Sequence, residues 1–271
     1  MEPPLRISSD RISIDVDPRA GGRLAQVRAH GTPILIGREE VPARLRLPDG
    51  SPTPTGWGAY PMVPWAGRIR RGRFRFRGEE YELPINFGDH AIHGVGFSSV
   101  WTVAVDEPDR VRLDLELPTD ERWPFGGHVT HDVSVIDDCV LLRMEVAAGQ
   151  KAFPVSFGWH PWFRKPSRLE FHPARMYRRD DDGIAIRELM AVPNRPWDDC
   201  FINSLPVAVT IDDIELQLTS DCTHWVVFDE LPHATCIEPQ TGPPDAFNIA
   251  PRILEPGQSH EAWFQIQLVD R

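Results

Sequence analysis

PWAGRIRRGRFRFRGEEYELPINFGDHAIHGVGFSSVW, residues 64–101, contains the clearest strand pattern in the chain and its first cluster of chemically capable side chains. Phe74 and Phe76 alternate with Arg73, Arg75 and Arg77, and Tyr81, Leu83 and Ile85 alternate beyond Gly78-Glu79-Glu80. Successive side chains of a strand point to opposite faces, so the pattern predicts two short antiparallel strands sharing one apolar face. Asn86, His90 and His93 follow at the end of this hairpin, where a rigid scaffold can aim them.

Toward the N-terminus, residues 11–16 and 27–29 read as strands separated by turns at 21–22 and 30–33. They predict an opening set of antiparallel strands and not a nucleotide-binding βαβ unit. Residues 48–56 form a polar loop leading into Trp57, Tyr60, Met62 and Trp65, rings and side chains that either offer a stacking surface for a ligand or cap a β-core. Toward the C-terminus, Val103, Val105, Val111, Leu113, Leu115 and Leu117 continue the period of two around a turn at 107–109. Residues 129–146 divide into two strands near Asp137-Asp138. His128 and His131, three apart on a strand, face opposite sides, which disfavours a shared metal. Residues 168–195 read as loop-rich, with Asp180-Asp181-Asp182 as a solvated turn, before strand patterns return at 207–218, 225–228 and 264–268.

The 271 residues include 27 Pro and 20 Gly beside a hydrophobic fraction of 41%. That much proline argues against long helices, and that much apolar content argues against disorder. A net charge of -11, from 40 acidic and 29 basic residues, argues against general attraction to nucleic acid or an anionic membrane. Residues 1–10 lack the apolar core of a signal peptide and no apolar run reaches membrane-spanning length, so a soluble cytoplasmic protein is expected. Cys139, Cys200, Cys222 and Cys236 are dispersed without a C-x-x-C pair and are expected to be buried free thiols. Together these features predict a large antiparallel sandwich with few helices, built as one domain or as two smaller sandwiches.

The run from Pro64 to Trp101 resembles the aldose 1-epimerase, or galactose mutarotase, family, in which an arginine motif precedes a hairpin, an asparagine and a histidine-glycine pair. The resemblance continues in family order at Trp123-Pro124-Phe125, Gly158-Trp159-His160-Pro161-Trp162-Phe163, Asp198-Asp199-Cys200-Phe201 and Glu238-Pro239-Gln240-Thr241-Gly242, with Asn248 beyond. It implies a mainly β protein, a galactose-mutarotase-like β-supersandwich with few short helices, in a single domain over 1–271.

The resemblance also implies Glu238 and His160 as the catalytic residues and Arg68, His93 and Asp198 as substrate-binding residues, with Asn86 and His90 as secondary candidates. The implied partner is a small-molecule aldose whose α and β anomers interconvert through ring opening. Glu238 would take the anomeric hydroxyl proton while His160 protonates the ring oxygen, with no cofactor and no metal. His90, His93, His160 and Glu238 are in the abstract a nitrogen and oxygen donor set, but their spacing is not diagnostic of a metal site. Gly67 stands where the family often has asparagine before its arginine, which removes a polar side chain from the substrate side. A neutral hexose is the expected substrate. The alternatives are a hexose phosphate, suggested by the arginines of 68–77, and a noncatalytic carbohydrate-binding protein.

Overall fold

In the computed structural model, which describes residues 3–269, Arg73–Phe76 pairs with Glu79–Glu82 and places Phe74 opposite Tyr81. Phe74 and Phe76 are buried while Arg73 and Arg75 are exposed, as their alternation requires. Leu83 and Ile85 lie beyond the second strand; the Leu83 N–H donates to the Gly72 carbonyl at 2.8 Å, and Ile85 is exposed.

This hairpin sits beside two larger antiparallel sheets, one eleven-stranded and one eight-stranded. The sole α-helix among the described residues is the four-residue Ala246–Ile249. Six neighbouring strands of the larger sheet matter for function: β1 (Ala59–Met62), β2 (Gly158–Arg164), β3 (Arg175–Arg179), β4 (Asp198–Ile202), β5 (His224–Phe228) and β6 (Ala234–Gln240). Their order across the sheet is β1, β2, β6, β5, β4, β3.

Period-two geometry assigns each of these strands two faces. On the inner face, Trp159 of β2 and Trp225 of β5 approach Phe264 of the eight-stranded sheet, at ring-centroid separations of 6.0 and 6.2 Å. Phe163 and Phe264 are almost wholly buried, and each contributes roughly 1.5–3 kcal/mol of transfer free energy. The opposite face carries His160 and Trp162 on β2 and Cys236, Glu238 and Gln240 on β6. That face is covered as well, so every residue of β6 is buried.

Residues 168–195 depart from the loop-rich expectation. They form strands Arg168–Glu170, β3 and Ala185–Met190, with Met176 opposite Met190. Ala185–Met190 ends the sheet and is largely exposed, so charged residues occupy both its faces and the apolar alternation that would have marked it is absent. The four cysteines are free and buried.

Candidate active site

The registers bring the distant motifs into one row. Trp162 of β2 lies opposite Cys236 of β6, and Gly158 lies opposite Gln240, which sets His160 level with Glu238 between them. Gly158 permits this approach, because a Cβ at that position would stand 2.2 Å from the Pro239 carbonyl oxygen. Tyr60 of β1 pairs with His160 on the other side, and Val226 of β5 pairs with Glu238.

The result is a cavity of about 370 Å³ whose wall includes Arg68, His93, His160, Asp198 and Glu238. His160 is held between rings: Tyr60 stacks on it at 4.7 Å, Trp162 at 5.5 Å, and His93 meets it edge-on at 5.0 Å. Its Nε2 lies 3.2 Å from Glu238 Oε1, and Gln240 Nε2 donates to Glu238 Oε2, also at 3.2 Å. Burial pushes His160 down to about 3, reinforced by the positive charge of Arg23. Burial likewise pushes the Glu238 carboxyl well up, with the nearby Asp198 adding to the effect and Gln240 and Arg68 opposing it. Both directions disfavour a charged pair, so the charge-neutral form of the His160–Glu238 contact prevails.

His93 and Gly67 hold one another. The His93 N–H donates to the Gly67 carbonyl at 3.1 Å, and the Gly67 N–H donates to His93 Nδ1 at 3.3 Å. An accepting Nδ1 places the imidazole proton on Nε2. Gly67 has φ +70 and a Cβ there would meet Pro244 at 2.9 Å, so a side chain at this position is strained as well as crowded. Asp245 fixes the adjoining turn: its N–H donates to the Arg68 carbonyl at 2.7 Å, and its Oδ1 accepts from the Arg70 N–H at 3.0 Å.

Asn86 and His90 lie outside the cavity wall. Asn86 Oδ1 accepts from the Ile92 N–H at 2.7 Å and its Nδ2 donates to the Ile92 carbonyl at 3.2 Å, while His90 Nδ1 accepts from the Arg71 N–H at 3.1 Å. Both shape the loop that delivers His93. Among the aromatics after the polar loop, Tyr60 lines the cavity. Trp57 stacks under Arg23 at 4.1 Å, and Trp65 packs on Trp123 at 6.0 Å.

Three participants carried little sequence signal. Gln240 stood in a quoted motif without a role, and Arg44 joins the cavity wall from a segment to which no site residue was assigned. Arg179 of β3 donates to Asp198 Oδ2 and contacts Asp199 Oδ1, each at 3.0 Å. His160, Cys236 and Glu238 together place a nitrogen, a sulfur and an oxygen within 4.8 Å of one another, the one grouping of this kind among the described residues.

Two antiparallel sheets, with a cavity on the outer face of the larger one into whose largely apolar wall a few charged side chains are set, make a galactose-mutarotase-like β-supersandwich. The sequence model of the aldose 1-epimerase family matches residues 18–267, and the chain belongs to that family. It is 25% identical to YihR, an uncharacterised protein of Escherichia coli K12, over 76% of this chain and 77% of that one. Its fold resembles a galactose mutarotase-like protein from Clostridium acetobutylicum, with TM-score 0.82 and 15% identity over 98% of this chain and 95% of that one. It also resembles a galactose 1-epimerase from Lactobacillus acidophilus, with TM-score 0.78 and 16% identity over 97% of this chain and 93% of that one. Family and fold support a mutarotase-type function. No helix among the described residues is long and apolar enough to cross a membrane.

Proposed function

We propose that the protein interconverts the α and β anomers of a reducing aldose, with Glu238 and His160 as its base and acid. The observation that carries this reading is the buried His160–Glu238 contact of 3.2 Å in the wall of a cavity sized for a small molecule. One proton serves both groups. The reaction requires the charged arrangement that burial disfavours: with a sugar bound, the proton must sit on His160, which delivers it to the ring oxygen as Glu238 takes the proton of the C1 hydroxyl. The C1–O5 bond breaks to an open-chain aldehyde, rotation about C1–C2 presents the other carbonyl face, and the reverse transfers close the ring. His160 has then lost one proton and Glu238 gained one before the return, so the pair is restored with no net proton exchange. Arg68, His93 and Asp198 would hold the sugar's hydroxyls and ring oxygen through donor and acceptor groups of complementary type.

A neutral hexose fits the hairpin's charge pattern. Arg70 is paired with Asp180 and Asp182, Arg73 with Glu82 and Arg77 with Glu255, so these cations are neutralised outside the cavity wall. A hexose phosphate is the second reading, because Arg44 and Arg68 line the cavity and neither has a carboxylate ion-pair partner among the described residues. NMR exchange measurements on neutral aldoses and their 6-phosphates test both readings. The proposal requires at least one aldose to exchange anomers faster than in buffer, and exchange in none of them would leave a noncatalytic sugar-binding protein. A large preference for the phosphate over its neutral parent would reverse the choice of substrate. Exchange is expected to persist after exhaustive chelation; loss restored by a single ion would overturn the metal-free route.

A further inference from the structure

Cys236 has no part in the proton transfers above, yet it occupies the same face of β6 as Glu238, two residues away. Its neighbour across the register is Trp162, and the next residue along that face of β2 is His160. His160 Nε2 and Glu238 Oε1 are already 3.2 Å apart, and all three donor atoms fall within 4.8 Å of one another. Donors around a tetrahedral zinc stand roughly 3.3–3.7 Å apart, given metal–ligand bonds of about 2.0–2.3 Å. The nitrogen–oxygen pair therefore has almost the required separation, and a small side-chain rotation brings in the sulfur. A second observation points the same way: His160 Nδ1 is buried and makes no hydrogen bond to another residue, so the ring is held by its packing against Tyr60, Trp162 and His93 and not by a polar partner on that side.

We propose that His160, Cys236 and Glu238 form a three-ligand site for a thiophilic divalent cation such as zinc, and that occupation of this site blocks the acid–base pair. The donor set selects the metal. Thiolate and imidazole favour zinc and cadmium over magnesium, which requires oxygen ligands in an octahedral arrangement. Of the three ligands His160 and Glu238 line the cavity while Cys236 is wholly buried behind them, and with both proton-transfer groups acting as ligands neither is free to move a proton. Binding must release protons, since a coordinating thiol loses its own, so affinity rises with pH. The blocking half of the proposal rests on the reaction proposed above, whereas the binding half does not.

Zinc titration of the full chain in a metal-buffered solution tests the two halves separately, with bound metal and anomer exchange read on the same samples. One zinc per chain is expected, with magnesium failing to compete and cadmium competing. Cys236→Ser, verified as folded by thermal unfolding, should weaken zinc at least tenfold; unchanged affinity in that variant would overturn the site. Cobalt(II) added to the unmutated chain gives an independent reading, because a Cys236 ligand produces a thiolate-to-metal absorption band in the near ultraviolet and its absence excludes the sulfur. If the zinc-free chain exchanges anomers and the zinc-loaded chain does so equally fast, the blocking half is wrong. If the zinc-free chain exchanges none, the reaction reading fails together with the blocking half, and the binding half stands or falls on the titration.

Discussion

Arg179 illustrates how a residue outside the cavity wall can govern a residue within it. Its guanidinium bridges Asp198 and Asp199, leaving Asp198 one carboxylate oxygen to offer a sugar. Arg179→Gln is expected to raise KM roughly fivefold, about 1 kcal/mol for a partly exposed charge-assisted bond, with little change in kcat. Steady-state kinetics would show a positioning role by that split, and an equal fall in kcat would contradict it. His131 gives a residue-scale prediction about stability. It is fully buried, with Nδ1 at 3.2 Å from the Gly22 carbonyl and Nε2 accepting from Trp159 Nε1 at 3.1 Å, and burial pushes it down to about 4. The folded value lies below the unfolded one, so the unfolded chain takes up the proton first. Stability is therefore present above about pH 6.5 and is lost as pH falls toward 4, at about 1.4 kcal/mol per pH unit from this histidine. Urea unfolding at several pH values should show a slope smaller by that amount in His131→Gln; identical slopes would contradict the assignment.

At the scale of elements, the site depends on how closely β2 and β6 approach. Gly158→Ala places a Cβ 2.2 Å from the Pro239 carbonyl oxygen and 2.9 Å from Gln240 Cα, in backbone that cannot yield locally. A loss of about 1–3 kcal/mol is expected, together with impaired exchange, because the strands that align His160 with Glu238 must part. Gly149→Ala, whose Cβ meets nothing closer than 4.0 Å, should stay within about 0.5 kcal/mol of the parent. Denaturant midpoints for the two variants check the contrast, and equal stability would show that the approach is not tight. The elements differed in how plainly their sequences announced them. Phe74 and Phe76 advertise a half-exposed hairpin because one face meets water. In β6 both faces are covered, so Ala234–Gln240 has no polar alternation to read, and its place in the site was legible through Glu238-Pro239-Gln240-Thr241-Gly242. β3 failed for the opposite reason, since Arg175, Arg178 and Arg179 are polar on both faces near the sheet's edge, and Arg179 was missed with it.

Across the whole molecule, the candidate site gathers side chains from Arg44 to Gln240, a separation that the fold, through its strand register, closes. Periodicity conveyed an antiparallel β protein, while the ordered motifs conveyed which distant polar residues would meet. Asn86 and His90 precede His93 by a few residues, yet neither is in the cavity wall; Asn86 bonds to the backbone of Ile92 in its own loop and His90 to that of Arg71 before the hairpin. The most direct test of the proposed reaction is the rate of anomer exchange by Glu238→Gln, compared with the parent by NMR on an aldose the parent accepts. Glutamine keeps the bulk and one acceptor but cannot act as a carboxylate base, so the rate should fall roughly 10²–10⁴-fold while sugar affinity and thermal unfolding change little. Exchange near the parent rate, with unchanged affinity and stability, would contradict the assignment of Glu238 as the base.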